Sequence, residues 1–150
     1  MNALELLKAD HDKVKKLLTE GDATTERAEK TRTELFATIK QELTVHEQIE
    51  EQIFYPALRD HPKAKDIVLE AYEEHNVVDM VMSELEQTDV TDETWAAKFT
   101  VMKENLEHHI EEEEGEMFKQ ARSVFDAGEL TELGDRMAAM KAQLTGAPPA

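Results

Sequence analysis

Apolar residues recur at intervals of three and four through four long stretches of this chain, separated by short polar breaks. That period is the one a helix with a single buried face imposes. In the first stretch, Leu4, Leu7, His11, Val14 and Leu18 share a face of a helix expected over about Ala3 to Glu20. Gly21 and Asp22 read as its stop, and Thr24 or Thr25 as the cap of the next. The second helix ends near Arg59 and presents Leu35, Ile39, Leu43, His46, Glu50 and Ile53, with Phe54 beside them. Pro56 in its last turns removes a helical hydrogen bond and should bend or loosen them. Asp60-His61-Pro62 makes a turn, and Pro62 suits the first position of a third helix reaching about Glu86. Its stripe is Val68, Ala71 or Tyr72, His75, Val78 or Asp79, Met82 and Leu85. Beyond the polar connection Thr88-Asp89-Val90-Thr91-Asp92, a fourth helix over about Asp92 to Arg122 carries Trp95, Phe99, Met102, Leu106, His109, Glu113 and Met117. A shorter fifth helix follows Gly128, with Leu130, Leu133, Met137, Met140 and Leu144 on one face.

Short connections between long helices make antiparallel neighbours. The expected fold is therefore all-α: an up-down-up-down four-helix bundle, with the fifth helix across one end or side. Residues 1–145 read as one domain, with its core over 3–122 and the extra helix over about 129–144; 146–150 reads as a disordered tail by composition.

The formal net charge of −17 argues against nucleic acid and anionic membranes as partners, since both are bound through Lys and Arg. Cysteine is absent, which removes disulfides, thiolate metal sites and cysteine nucleophiles. The charged, amphipathic start is unlike a signal peptide, and no apolar run is long enough for a membrane span, so a cytoplasmic location is expected. There is no Gly-rich phosphate loop.

Each of the four long helices puts one histidine into its apolar stripe: His11, His46, His75 and His109. Any one of them alone could be a core histidine with a satisfied hydrogen bond; four, one per helix, form a pattern. His46 is followed four residues later by Glu50, and His109 by Glu113, so each pair shares a helix face. A carboxylate in an apolar stripe is costly unless a cation compensates it, and no Lys or Arg stands beside these two. The segments repeat one another. Aligning His46 with His109 aligns Glu50-Glu51 with Glu113-Glu114 and Phe54-Tyr55 with Met117-Phe118. A pair of metal ions between the helices satisfies this arrangement. Depth along the bundle fits for His46 and His75 across the Asp60 turn, but His11 stands nearer its turn than His46 does, and a smaller mismatch separates the third and fourth helices.

These residues resemble the hemerythrin-like family of HHE cation-binding domains. The likeness rests on Asp10-His11, on His46 with Glu50-Glu51 and Ile53-Phe54-Tyr55-Pro56, on Glu74-His75, and on His109 with Glu113-Glu114 and Met117-Phe118, over about residues 3 to 122. It implies two non-haem iron ions with an oxo or hydroxo bridge, with Glu50 and Glu113 as carboxylate bridges and His11, His46, His75 and His109 as terminal ligands. Oxygen-carrying members have a second histidine four residues after the third-helix histidine, where this chain has Asp79. Their fourth-helix carboxylate comes five residues after its histidine, which would choose Glu114; Glu113 is preferred because it mirrors Glu50. One histidine fewer argues against simple oxygen carriage. Asp79 or Tyr72 could add a ligand, whereas Tyr55 falls on the far side of an ideal helix from His46 and reads as packing, unless Pro56 distorts that turn. His108 is expected to be exposed and His61 to be a turn residue.

The function implied by the resemblance is binding of, or reaction with, O2, NO or peroxide at the di-iron centre, possession of a peroxide- or NO-directed oxidoreductase activity being left open, together with a redox partner the sequence does not name. The alternative is iron storage or iron/oxygen sensing without catalysis. A third reading, an acidic helical interaction module without metal, leaves the stripe carboxylates uncompensated.

Overall fold

The computed structural model, which describes residues 1–146, follows the apolar periodicity closely. Its helices are α1 (Ala3–Asp22), α2 (Glu29–Ile49), α3 (Tyr55–Arg59), α4 (Lys65–Glu86), α5 (Trp95–Glu112), α6 (Phe118–Val124) and α7 (Ala127–Thr145). A π-helical turn, Glu50–Phe54, joins α2 to α3 into one rod, and a second, Glu113–Met117, joins α5 to α6. A 3₁₀ turn at Pro62–Ala64 leads into α4. Four long rods result, with α7 packed along α1 and α2. This is the expected bundle with its fifth helix on one side. Of the expected tail, only Gly146, which ends α7, lies within the described residues.

α1 ends at Asp22, within the expected stop; Gly21 lies in its last turn, where the Phe99 ring packs so close that a Cβ would come within 2.3 Å of it. Several local expectations are corrected. The first position of α2 is preceded by Ala28, which makes no side-chain cap, so neither Thr24 nor Thr25 caps it. The Thr24 hydroxyl instead donates to the Gly21 carbonyl and accepts from Arg32 Nε. α5 begins at Trp95 and not at Asp92, because Asp89 and Asp92 each hold a turn through the amide and hydroxyl of Thr91 and Thr94. Leu144 is exposed, so the buried face of α7 ends earlier. The depth mismatch is resolved by overhang: α2 runs 17 residues before His46 while α1 runs 11 beyond His11. The six-residue difference, about 9 Å of rise, projects past α1 and is spanned by residues 23–28.

The core divides into two apolar clusters. One holds Leu4, Leu7, Ile53, Phe54, Val68 and Phe118 among others; the second holds Val14, Leu18, Leu43, Val78, Trp95 and Leu106 among others. Along three of the four rods the switch from one cluster to the other falls at a site histidine, as in Leu7-His11-Val14 of α1 and Ala71-His75-Val78 of α4; along the α5–α6 rod it falls at Glu113, between Ile110 and Met117. The bundle thus carries one polar layer between two apolar blocks. Each fully buried large side chain contributes about 1.5–3 kcal/mol, and these blocks hold the polar layer away from water.

Candidate metal centre

The polar layer consists of His11, His46, Glu50, His75, His109 and Glu113, all buried, with both glutamates essentially inaccessible to solvent. Every residue expected at the centre from the sequence is therefore brought together. The imidazoles form two pairs, His11 with His46 and His75 with His109, each with ring centroids 4.9 Å apart. The glutamates lie between the pairs. Glu50 Oε1 is 3.1 Å from His46 Nε2 and 3.2 Å from His75 Nε2. Glu113 reaches His11 Nε2 at 3.3 Å through Oε1 and His109 Nε2 at 3.2 Å through Oε2. Each carboxylate thus spans both halves of the layer. These approaches lack hydrogen-bond geometry at His11 Nε2, His46 Nε2, both Glu50 oxygens and Glu113 Oε1, all fully buried. Buried polar atoms are almost always partnered. Lone pairs that converge without hydrogen bonds are what a cation site presents. Among the described residues four groups of donors lie close enough to share an ion; two are wholly within the layer, His11-His46-Glu50-Glu113 and Glu50-His75-His109, and the other two, Glu47-Glu51-His75 and Glu74-His108-Glu112, lie at its outer edge.

The outward nitrogen of each imidazole meets a carboxylate from the neighbouring helix. His46 Nδ1 is 3.0 Å from Asp10, His75 Nδ1 2.8 Å from Glu51, His109 Nδ1 2.8 Å from Glu74, and His11 Nδ1 2.6 Å from Glu114. The order is cyclic: α1 serves α2, the α2–α3 rod serves α4 from its π turn, α4 serves α5, and the α5–α6 rod serves α1. This explains the doublets Asp10-His11, Glu50-Glu51, Glu74-His75 and Glu113-Glu114, in which one member faces the layer and its neighbour holds the next helix's histidine. Such contacts fix the tautomer that leaves Nε2 free to ligate. Glu114 holds this outer place and Glu113 the inner one.

Tyr55 is the residue sequence reasoning misplaced. It is fully buried, its hydroxyl donates to Glu113 Oε2 at 2.6 Å, and it lies 3.2 Å from His75 Nε2 and 3.4 Å from His109 Nε2. On an ideal α-helix Tyr55 would sit about 140° round from Glu50. The π turn replaces the usual bond with one from the Tyr55 amide to the Glu50 carbonyl, which stacks Tyr55 over Glu50. Pro56, which lacks an amide hydrogen, was the signal for a distorted ladder here. The second π turn does the same for Phe118, whose amide donates to the Glu113 carbonyl and whose ring stacks on His11. The pseudo-symmetry therefore extends to Tyr55 and Phe118.

Tyr72 and Asp79 do not reach the layer. The Tyr72 hydroxyl donates to the Glu51 carbonyl, and its ring meets Tyr55 edge-on. Asp79 is exposed, and burial together with the nearby Asp79 pushes the Glu47 carboxyl up to about 8. Both line a groove of about 650 Å³ between α2 and α4, outside the histidines. His108 is exposed, and His61 sits in the turn with its ring against Phe125.

The charged groups of the layer act strongly on one another. Burial acts to lower the His46 imidazole, but the attraction of Glu50 and the contact with Asp10 outweigh it and hold His46 well above its ordinary range. Burial is likewise outweighed at His75, raised to about 9 beside Glu50, and at His109, raised to about 10 beside Glu113 and Glu74. Glu113 is held well below the usual carboxylate range: burial opposes this, and Glu50, His109 and His11 prevail. Burial and the charges of Glu113 and Glu50 raise Tyr55 well above 10, so its phenol keeps its proton. The carboxylates demand positive charge, and protons on imidazole or metal ions are the two ways to supply it.

Beside the four histidines lies a cavity of about 10 Å³, lined on its apolar sides by Val14, Leu43, Val78, Leu106 and Ile110. It has space for about one water-sized molecule.

The family model described as the hemerythrin HHE cation binding domain matches residues 2–121. Rv2633c of Mycobacterium tuberculosis (strain H37Rv) and Mb2666c of Mycobacterium bovis, each described as an uncharacterized protein, are 33% identical over 150 residues, covering 99% of this chain and 90% of their own. A crystal structure described as a hemerythrin HHE cation binding domain-containing protein, the Rv2633c homolog from Mycobacterium kansasii, superposes with a TM-score of 0.87 at 33% identity, over 97% of this chain and 88% of that one.

Proposed function

From the premise that this chain belongs to the hemerythrin HHE cation-binding family, we propose that its polar layer holds two iron ions and that the pair binds or reacts with O2, NO or peroxide. The observation that carries this reading is the convergence of Glu50 and Glu113, fully buried and largely without hydrogen-bond partners, on four Nε2 atoms. In this reading His11 and His46 hold one ion, His75 and His109 the other, and Glu50 and Glu113 span both. Imidazole and carboxylate donors together suit iron. Bound iron would supply one-electron chemistry and a coordination position for a small ligand.

The remaining work belongs to the chain's own side chains. Asp10, Glu51, Glu74 and Glu114 orient the imidazoles and strengthen them as donors. Tyr55 places a protonated phenol beside Glu113, His75 and His109, where it can donate a hydrogen bond to a small ligand or bind the second ion. Val14, Leu43, Val78, Leu106 and Ile110 restrict the adjoining space to about one water-sized molecule and surround it with apolar side chains.

Optical titration of the iron-loaded protein with O2, NO and hydrogen peroxide tests the proposal. A stable adduct or turnover with at least one of them is expected. An iron-loaded centre inert to all three would contradict the reactive reading and favour iron storage or iron-dependent sensing.

A further inference from the structure

The two halves of the layer are matched in their imidazoles and unmatched in what lies behind them. Behind His46, Asp10 is itself gripped: its Oδ1 accepts from Lys141 Nζ of α7, 131 residues away in sequence. Asp10 is almost wholly buried, so this ammonium is a specific partner and not a surface accident. Behind His11, Glu114 has Lys8 at 3.8 Å. The other half has no such cations: among the described residues no Lys or Arg forms an ion pair with Glu51 or Glu74. More carboxylates gather there instead: Glu47 stands beside Glu51, and Glu112, with His108, beside Glu74.

The placement of Lys141 is built into the fold. α7 lies parallel to α1, and two contacts fix its register. Gly134 lies so close to the backbone of Met1, Asn2 and Ala3 that a Cβ would come within 2.4 Å of the Met1 carbonyl oxygen. Seven residues further along α7, Lys141 meets Asp10, seven residues beyond Ala3 on α1. Both α7 residues lie outside the segment matched by the family model, which ends at residue 121. The device lies in the C-terminal helix, beyond that segment.

We propose that α7 makes the two halves of the centre unequal: Lys141, by neutralising Asp10 behind His46, weakens the pull of the His11/His46 half on a divalent cation, so that the His75/His109 half fills first. The inference rests on the two-ion reading above. An ammonium held behind the donor set opposes an incoming cation; the Lys141 side chain is 34% exposed, so solvent screens part of that opposition, while Asp10, through which it acts, is only 8% exposed. Lys141 is a positioning and charge-setting residue; it touches Asp10, not the ions.

The test is a calorimetric titration with Zn2+ of the full chain stripped of metal, followed in parallel by NMR of ¹⁵N-labelled histidines, since Zn2+ is diamagnetic. Wild type should take up two ions in unequal steps, with His75 and His109 moving in the first and His11 and His46 in the second. In Lys141→Met the weaker step should tighten roughly tenfold, the scale on which outer contacts tune a metal site. Lys141→Gln, which keeps a hydrogen bond to Asp10 without charge, should behave like Lys141→Met, and Lys141→Arg like wild type. Two ions bound in equal steps, filling in the reverse order, or a second step unchanged or weaker in Lys141→Met and Lys141→Gln, would overturn the inference and leave the two-ion reading standing. Uptake of fewer than two ions would overturn both.

Discussion

Two sites of buried charge among the described residues, Arg32 and the pair Glu50 and Glu113, are satisfied differently. Near one end Arg32, only 4% exposed, reaches Thr24 Oγ1, the Thr24 carbonyl and the Val90 carbonyl, and its guanidinium lies 4.4 Å over the Trp95 ring. It ties the connection over 23–28 to the connection over 87–94. In the middle, Glu50 and Glu113 leave three of their four oxygens without a hydrogen bond. A buried charge with its partners supplied by the fold is a fastener. One aimed at other donors across unbonded contacts is a site for something the chain does not itself provide.

Breaking the second kind should show the largest effect. Glu50→Ala or Glu113→Ala should weaken uptake of at least one ion by more than ~100-fold, beyond the 10–100-fold cost of an outer contact, while the helical circular dichroism persists. Metal titration with a parallel spectrum checks this.

Removing the ions sharpens the contrast next. In the stripped protein the imidazoles must carry the positive charge as protons. Because His75 is raised to about 9 and His109 to about 10, from an ordinary value of 6.5, the stabilisation they supply is complete below about 6.5 and lost as pH rises through those values. The melting temperature of stripped protein should fall between pH 7 and 10, and that of loaded protein should hold better over the same window. Parallel falls would contradict the account.

The fastener responds in the opposite sense to the site. Arg32→Met leaves the Val90 and Thr24 carbonyls without their donors and should lower stability by about 3 kcal/mol. Its metal stoichiometry should match wild type. Denaturant unfolding and metal analysis on one preparation separate the two readouts.

Smaller effects come from the outer contacts. Glu74→Gln should weaken uptake on the His75/His109 side by about 10-fold, the lower end of the range for such partners. Tyr55→Phe should be smallest in stability, about 1 kcal/mol for the lost hydrogen bond to Glu113, and should show itself in a changed absorption spectrum of the iron-loaded protein.

The same contrast explains what could be read from the sequence. His11, His46, His75, His109, Glu50 and Glu113 were legible because helical spacing puts them in apolar stripes, where polar side chains stand out. Their convergence follows from local periodicity plus antiparallel packing. The position of Tyr55 was not legible, because it depends on one extra residue in a turn of an otherwise regular rod, which shifts everything after it on the helical wheel. Arg32 and Lys141 were hidden for another reason. Their partners come from Val90 and Asp10, far away in sequence, and a lone cation on an amphipathic helix looks like solvated surface. Gly21 shows the same limit: its place at the end of a helix was legible, whereas the Phe99 ring that packs against it, 78 residues away, was not.

The most direct measurement is anomalous diffraction at the iron edge from crystals of aerobically purified protein, with iron counted per chain. The account predicts two peaks within the polar layer, about 3.5–4 Å apart as in other two-metal sites, one beside His11 and His46 and one beside His75 and His109, with Glu50 and Glu113 between them. A single peak outside the layer, or a layer in which protonated imidazoles alone compensate the two glutamates after iron has been supplied, would contradict it.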